Sequence, residues 1–183
     1  MDSINWEINT IESILPEEFY NLVQTNKSHI EKTFPVTLSN CLDLERTIAF
    51  IEANIQKEKN KAGYYFYLRN SKTQQLMGYV CIKNIDYGIS KCELAYFIDK
   101  HFEGKGIISR VVAQTAAFCF NDLKMNKVFI CTSKINHASQ QVALKNGFRQ
   151  EGILREEFKN GAGILEDVVY FGLLKSDYDR NEK

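Results

Sequence analysis

The sequence has little of what would indicate a membrane protein, a disulfide-bonded secreted protein or a metalloenzyme. Among its 183 residues there are only three histidines, and no apolar run approaches the roughly 20 residues that span a bilayer. The amino terminus has neither the basic start nor the apolar segment of a secretion signal. Five cysteines, an odd number without C-x-x-C spacing, argue against a disulfide framework or a zinc site. We therefore expect a soluble cytoplasmic protein without a metal, folded as one domain over residues 1–183.

An excess of charge of one sign is also missing, because the formal net charge is zero. The charges are nevertheless unevenly distributed, since residues 1–60 carry ten acidic and five basic side chains. Two interpretations remain open: solvated helix faces, or an acidic receptor for a cationic substrate beside a more basic half that holds a phosphorylated cofactor. Neither half is basic enough to indicate direct binding of nucleic acid.

Hydrophobic periodicity predicts a mixed α/β fold. Helices are predicted from Pro16 onward and over residues 42–57, 107–123 and 138–145, and strands over residues 64–68, 76–85, 92–98, 128–131, 148–157 and 164–174. Residues 33–38 are predicted to be a loop, because Pro35 excludes an uninterrupted helix. Asn160-Gly161 favours a tight hairpin between the last two strands. The strand–helix–strand order around residues 92–131 predicts a right-handed βαβ crossover with parallel strands.

The turn from the third predicted strand into the long helix contains Gly104 and Gly106. Glycines let main-chain N–H groups approach a ligand without a Cβ in the way. The free amides and the positive end of the helix dipole then favour an anion. The turn therefore indicates a phosphate or pyrophosphate site, although glycine also marks ordinary strand–helix junctions.

Several motifs in one order resemble the GNAT superfamily of acetyl-CoA-dependent N-acetyltransferases. They are Phe102-Glu103-Gly104-Lys105-Gly106, Asn136-x-x-Ser139, Asn146-Gly147-Phe148, Glu151-Gly152, and Asn160-Gly161 with Asp167 and Tyr170. The chain is most similar to the branch that acetylates the N-terminal alanine or serine of ribosomal proteins. The resemblance covers about residues 7–176 and is strongest over residues 93–174. It implies a twisted mixed sheet of six to seven strands flanked by about four helices, with the βαβ crossover at its centre.

The chain departs from the family pattern at two places. Glu103 stands where the pattern has Gln or Arg, and Ile108 where it has Gly or Ala. We expect Glu103 to face solvent, since a carboxylate would repel a pyrophosphate. The tryptophan that this branch often carries between its first two helices is absent, and Phe34-Pro35 occupies that region. This difference weakens any transfer of the branch's substrate preference to this chain.

The resemblance implies a site for acetyl-CoA, the acetyl donor, in a gap where the strand over residues 94–98 splays from that over residues 128–131. An amide of Phe97 or Ile98 would polarise the thioester carbonyl. The coenzyme-contacting residues would be Phe97, Ile98, Phe102, Gly104, Lys105, Gly106, Ile107, Asn136 and Ser139.

Ser139 and Glu157 are the catalytic residues that the resemblance implies. Ser139 would donate a hydrogen bond or a proton to the leaving sulfur, although Asn136 and Ser139 also read as polar residues that cap a helix. Glu157 would act as base through water. Strand alternation puts Glu157 on the face opposite to Glu156, so only one of the two can point into the cleft. Phe34 and Glu157 would contact the acceptor.

The resemblance leaves three functions open. The first is acetylation of a protein N-terminal amine, the second acetylation of a small cationic amine such as a polyamine or aminoglycoside, and the third non-catalytic binding of acyl-CoA. A homodimer is also compatible with the resemblance. Retention of Asn136, Ser139 and a glutamate in the final hairpin disfavours the third function.

Overall fold

A computed structural model describes residues 5–181 of the chain. Its strands are β1 (Trp6–Thr10), β2 (Tyr64–Asn70), β3 (Leu76–Asp86), β4 (Lys91–Ile98), β5 (Lys127–Ser133), β6 (Arg149–Lys159) and β7 (Leu165–Leu174). Its α-helices are α1 (Pro16–Thr25), α2 (Lys27–Ile30), α3 (Pro35–Asn40), α4 (Leu44–Lys59), α5 (Ile107–Asn121), α6 (His137–Lys145) and α7 (Lys175–Asn181). No helix within this described part has the length and apolar content to cross a bilayer.

The strands form one mixed sheet in the order β1-β2-β3-β4-β5-β7-β6. Strands β4 and β5 run parallel and are joined through α5, which confirms the predicted βαβ crossover. The pairs β1–β2, β5–β7 and β6–β7 are antiparallel. The α/β class with a seven-stranded sheet is thus confirmed.

The chain divides into two compact units. The first unit comprises the chain up to Cys81 together with Tyr96–Glu103. Its core is rich in aromatic rings. The centroid of the Phe19 ring lies 5.3 Å from that of Tyr67, which it meets edge-on, and 5.3 Å from that of Tyr79. Such ring contacts stabilise a core beyond the area that they bury.

The second unit comprises Ile82–Ala95 and the chain from Gly104 onward. The buried side of α5 includes Val111, Val112 and Cys119, all 0% exposed. In β5, Val128 and Ile130 are also buried, as expected for an apolar run in the interior of a sheet. Gly147, with φ of 79°, ends α6 in the left-handed conformation that the sequence predicts.

Three predictions about local structure need correction. Residues 33–38 are not all loop, because Pro35 occupies the first turn of α3, where its missing N–H costs nothing. The last hairpin turns through Asn160–Ile164 rather than tightly at Asn160-Gly161, and its left-handed residue is Gly163. Strand β1 and the short helices α2, α3 and α7 carry too little periodicity to be predicted, so residues 5–181 contain seven α-helices rather than about four.

Candidate active site

The glycine turn has the backbone geometry of an anion site. Gly104 and Gly106 both have φ of 70°, in the left-handed region, and no heavy atom lies within 4 Å of the position that a Cβ would take on either residue. Gly106 is the N-cap of α5, and no described side chain caps this helix. The first-turn N–H groups of α5 thus lack the side-chain acceptor that usually satisfies a helix start. They can donate to a diphosphate.

Glu103 is exposed, as predicted, and it also makes a contact that the sequence did not predict. Its carboxylate lies 3.1 Å from Nε2 of His29 on α2, and its side chain is 49% exposed. Both residues belong to the first unit. The Glu103 carboxylate is thus held against His29 on α2. An acidic residue at this position is therefore compatible with an anion site in the glycine turn.

The first turn of α5 is tied to α6 within the second unit. Asn146, at the C-terminal end of α6, donates a hydrogen bond of 3.1 Å from Nδ2 to the Ser109 hydroxyl oxygen. The same amide nitrogen donates to the Val142 carbonyl oxygen at 2.8 Å. The asparagine of the Asn146-Gly147-Phe148 motif therefore links the helix that begins at the glycine turn to the helix that carries Ser139.

The parallel ladder between β4 and β5 is short. It pairs Lys91, Cys92 and Glu93 with Lys127, Val128 and Phe129. Beyond Glu93 the second unit continues along β4 to Ala95 and along β5 to Ser133, without further pairs between these described residues. The strands separate there, as the resemblance implies, and unpaired main-chain groups are left that a ligand could satisfy.

Glu93 is a carboxylate that the sequence analysis missed. It sits in the last pair of that ladder and is only 7% exposed. Its carboxylate accepts a hydrogen bond of 2.6 Å from Asn84 Nδ2 and lies 3.3 Å from Lys83 Nζ. The signal available in the sequence was a single acidic residue inside an otherwise apolar strand, because a buried charge requires partners.

Asn136 is the N-cap of α6. Its side-chain oxygen accepts a hydrogen bond of 3.0 Å from the main-chain nitrogen of Ser139. The capping role considered for the pair therefore belongs to the Asn136 side chain, and the Ser139 hydroxyl is not the capping group. Ser139 is partly exposed in the first turn of α6.

The hairpin that carries Glu157 is irregular. Leu154 pairs with Val168 and Phe158 with Glu166, so three residues of β6 stand opposite Asp167 alone. Strict alternation therefore cannot assign Glu156 and Glu157 to faces of the strand, because such a bulge interrupts the two-residue period. Glu156 has φ of 53°.

Asp167 connects this bulge to the loop that leads into α6. It accepts a hydrogen bond of 3.0 Å from the Glu156 main-chain nitrogen and lies 2.7 Å from Lys134 Nζ. These hydrogen bonds lower the pKa of Asp167, that from Lys134 contributing most. The second unit thus brings the strand that bears Glu157 to the loop that precedes Asn136.

Glu157 also acts electrostatically on β5. Burial raises the pKa of Cys131 to about 12, and the charges of Glu93 and Glu157 contribute in the same direction. Cys131 lies two residues beyond the Glu93–Phe129 pair, where the strands have separated. The carboxylates of Glu93 and Glu157 therefore lie near the point where β4 and β5 separate in the second unit.

Tyr170 lies opposite Cys131 on β7, and its ring stacks on that of Phe129 at a centroid distance of 4.9 Å. Burial raises the pKa of Tyr170, as expected for a ring that packs against β5.

Four of the predicted site residues lie in the first unit: Phe34, Phe97, Ile98 and Phe102. The Phe34 ring, at the start of α3, meets the Phe97 ring edge-on at a centroid distance of 5.1 Å. The structure thus joins a residue predicted to contact the acceptor with one predicted to contact the coenzyme. Ile98 ends β4 and is 7% exposed. The main-chain nitrogen of Phe102 donates to the Asp99 carbonyl oxygen at 2.8 Å.

Lys105 lies in the turn between the two glycines, and Ile107 is the first residue of α5, with a side chain 1% exposed. Only the main chain of Ile107 could therefore meet a coenzyme. In the described part of the chain, no group of three or more His, Cys, Asp or Glu side chains could hold a metal ion.

Comparison with known proteins assigns the chain to a family. The acetyltransferase (GNAT) domain matches residues 14–149, which is more than half of the chain. The chain belongs to the GNAT acetyltransferase family. Members of this family use acetyl-CoA. The chain is accordingly an acetyl-CoA-dependent N-acetyltransferase.

Relatives with assigned names fall in the same family. YdaF of Bacillus subtilis (strain 168), a candidate ribosomal N-acetyltransferase, is 36% identical over 104 residues. The match covers 57% of this chain and 56% of YdaF, so it spans a little over half of that relative. The ribosomal-protein-serine acetyltransferase of Escherichia coli (strain K12) is 27% identical over 146 residues, covering 78% of this chain and 79% of the relative.

Solved structures of other GNAT proteins share the fold. The ribosomal-protein α-N-acetyltransferase RimL, in complex with coenzyme A, superposes with a TM-score of 0.83 at 18% identity, covering 94% of this chain and 95% of RimL. A mutant of the spermidine N-acetyltransferase SpeG from Vibrio cholerae gives a TM-score of 0.75 at 18% identity, covering 97% of this chain and 98% of the SpeG chain. At these identities the likeness shows the fold alone.

Proposed function

We propose that this GNAT enzyme acetylates the N-terminal α-amine of a protein, and that the acceptor is of the ribosomal-protein type. The observation that carries the proposal is the short β4–β5 ladder, which opens after Glu93 with the charges of Glu93 and Glu157 near Cys131. Carboxylates at such an opening can attract an ammonium and remove its proton. The printed names of YdaF and of the Escherichia coli relative support a ribosomal-protein acceptor.

The chain's own residues would hold acetyl-CoA, which supplies an activated acetyl thioester. We assign the diphosphate to the main-chain nitrogens of the glycine turn and the first turn of α5. Phe97 or Ile98 would donate a main-chain N–H to the thioester oxygen. Phe102, Lys105 and Asn136 stay predicted coenzyme contacts.

The proton transfers are assigned to two side chains. Glu157 would accept the proton of the acceptor ammonium, directly or through one water, and the neutral nitrogen can then form the new amide bond. Ser139 would donate a hydrogen bond or a proton to the departing sulfur. Phe34 would form part of the acceptor wall, as its contact with Phe97 suggests.

The chemistry of the acceptor favours an α-amine. With a reference pKa of about 7.7–8.0, roughly a tenth of N-terminal amines are neutral at pH 7. A lysine side chain, near 10.4, is neutral in only about a few molecules in ten thousand. An exposed glutamate that acts through water, such as Glu157, suffices for the first amine and is a weak base for the second.

A substrate panel tests the proposal. Thiol release from acetyl-CoA would be followed with Ser- and Ala-started peptides, the same peptides with a blocked N-terminus, spermidine and kanamycin. We expect turnover with the free peptides and none with the blocked ones. Faster turnover of spermidine or kanamycin would replace the proposal by the small-amine alternative, which the ten acidic side chains of residues 1–60 favour. Tight binding of acetyl-CoA without turnover of any amine would favour the non-catalytic alternative.

A further inference from the structure

The chain enters the glycine turn through residues 99–103, here called the entry segment, which belong wholly to the first unit. The segment begins at the end of β4, forms a single 3-10 turn over Lys100–Phe102, and passes directly into Gly104. Both glycines of the turn are left-handed, and no described atom packs where a Cβ would lie. Gly104 is bonded directly to Glu103, so whatever restrains the entry segment also restrains one end of the turn.

One side chain outside the segment holds its start. Asn26, between α1 and α2, is 0% exposed and donates from Nδ2 to Asp99 Oδ2 at 3.0 Å. Its Oδ1 accepts a hydrogen bond of 3.0 Å from the Lys100 main-chain nitrogen. The same Nδ2 also donates to the Leu22 carbonyl oxygen at 2.9 Å, which anchors Asn26 in the last turn of α1. The polar atoms of the side chain are thus all engaged.

Asp99 passes this restraint along the segment. Its Oδ1 accepts hydrogen bonds from the main-chain nitrogen of His101 at 2.8 Å and from His101 Nδ1 at 2.9 Å. Its own main-chain nitrogen donates to the Met77 carbonyl oxygen at 2.6 Å. Asp99 is 2% exposed, so these bonds are formed away from water, where an unmade partner is costly.

The end of the segment has a second, weaker attachment to the same region. Glu103 lies 3.1 Å from His29, three residues after Asn26 on α2. The His29 side chain is 29% exposed and that of Glu103 49%, so this contact is partly screened by solvent. The two attachments bracket the segment, one buried at its start and one exposed at its end.

We propose that Asn26 is a positioning residue for the coenzyme. By fixing the entry segment it sets where the main-chain nitrogens of the glycine turn lie, and it does so without touching the coenzyme itself. The inference rests on the proposed binding of the coenzyme diphosphate at Gly104 and Gly106. A loop displaced by about 1 Å can cost about a hundredfold in a precisely arranged site, so a moderate effect on coenzyme affinity is expected.

The test uses Asn26→Leu, which keeps the side-chain size but removes the three hydrogen bonds, and His29→Leu, which removes the exposed attachment and leaves the Glu103 charge in place. Asn54→Ala is the matched control. Asn54 is a buried asparagine of the same unit, 1% exposed, whose Nδ2 has no hydrogen-bond partner among the described residues. Coenzyme A affinity would be measured by calorimetry, and KM for acetyl-CoA and for a peptide acceptor by thiol release, after thermal melting has confirmed folding.

We expect Asn26→Leu to raise the coenzyme Kd and the KM for acetyl-CoA by about tenfold. His29→Leu would raise both by roughly two- to threefold, as suits the loss of a contact that is partly screened by solvent. The kcat at saturating acetyl-CoA and the acceptor KM would stay within about twofold of wild type, because the positioning acts on coenzyme binding only. Asn54→Ala would leave the coenzyme Kd unchanged.

Two outcomes would overturn the inference: an unchanged coenzyme Kd in Asn26→Leu, or an equal rise in Asn54→Ala. If Asn26→Leu does not fold, His29→Leu decides alone, and an unchanged Kd in that variant counts against the inference. A wild-type protein that shows no saturable heat with coenzyme A would instead remove the proposed coenzyme site, so the two failures are distinguishable.

Discussion

The main-chain nitrogen of Glu156 donates a hydrogen bond of 3.0 Å to the carboxylate of Asp167 on the facing strand. This bond holds the bulge in which three residues of β6 oppose one residue of β7. Because Glu156 is fixed there with φ of 53°, the bulge sets the direction of the next residue, Glu157. The placement of the proposed base thus depends on a strand irregularity.

Replacing Glu157 by Gln should lower kcat by about 10²- to 10⁴-fold, the range typical of a lost general base. The substitution keeps the size of the side chain, so the Kd for coenzyme A should not change. Steady-state kinetics with a Ser-started peptide would measure the effect, and Glu156→Gln is the neighbouring control that should stay active. Full activity of Glu157→Gln beside an inactive Glu93→Gln would move the role of base to Glu93.

Replacing Ser139 by Ala should lower kcat by about tenfold or more while the protein stays folded, because the departing sulfur loses its donor. Asn136 would still cap α6, since the capping bond uses the Ser139 main-chain nitrogen. Circular dichroism would check the fold and thiol release the rate. A folded Ser139→Ala enzyme with the turnover of wild type would exclude Ser139 from the mechanism.

Three glycine-to-alanine substitutions should differ in their effect on stability. At Gly78 an added Cβ would lie 2.8 Å from the Phe97 carbonyl oxygen, which is main chain and cannot yield cheaply, so we expect a loss of about 1–3 kcal/mol. At Gly172 the nearest atoms belong to the flexible Glu151 side chain, which pairs with Lys127. Losing that partly exposed pair should cost at most about 1 kcal/mol.

Gly152 is the control for both substitutions, because no described heavy atom lies within 4 Å of the position that a Cβ would take there. Gly152→Ala should therefore be close to neutral. Urea denaturation would rank the three variants. A Gly78→Ala protein as stable as Gly152→Ala would contradict the close approach of β3 to the Phe97 main chain.

Acid should destabilise the protein partly through Asp99. Burial alone raises the pKa of Asp99, but hydrogen bonds from Asn26 and from both nitrogens of His101 outweigh burial and leave it below its usual value. A carboxyl with a lowered folded-state pKa stabilises the fold above its unfolded pKa of about 3.9, and this stabilisation is lost as the pH falls through the folded-state value.

The free energy of unfolding of wild type and Asp99→Asn would be compared at pH 7 and pH 3. We expect the difference between the two proteins to be larger at pH 7 than at pH 3, because the wild-type carboxylate is protonated in acid. Glu17→Gln, an exposed change on α1, is the control. If the difference in free energy of unfolding between wild type and Asp99→Asn stays constant with pH, ionised Asp99 does not contribute to stability.

Much of the site could be predicted from the sequence because its signals are local. The left-handed glycines at the start of α5 and the Asn136 cap of α6 follow from residue type and spacing. The orientation of Glu157 could not be predicted, because a bulge depends on the pairing of two strands rather than on either strand alone. The contact of Glu103 with His29 joins residues 74 positions apart in the chain, which no local pattern encodes.

The longer strands and helices, the parallel crossover and the glycine turn before α5 were determined by the sequence alone, because each depends on hydrophobic period or on a glycine backbone. Only the tertiary structure decided which buried polar groups meet: Asn26 with Asp99 in one unit, and Glu93 with Lys83 and Asn84 in the other. Such groups need partners when they leave water, and folding brings those partners from distant parts of the chain.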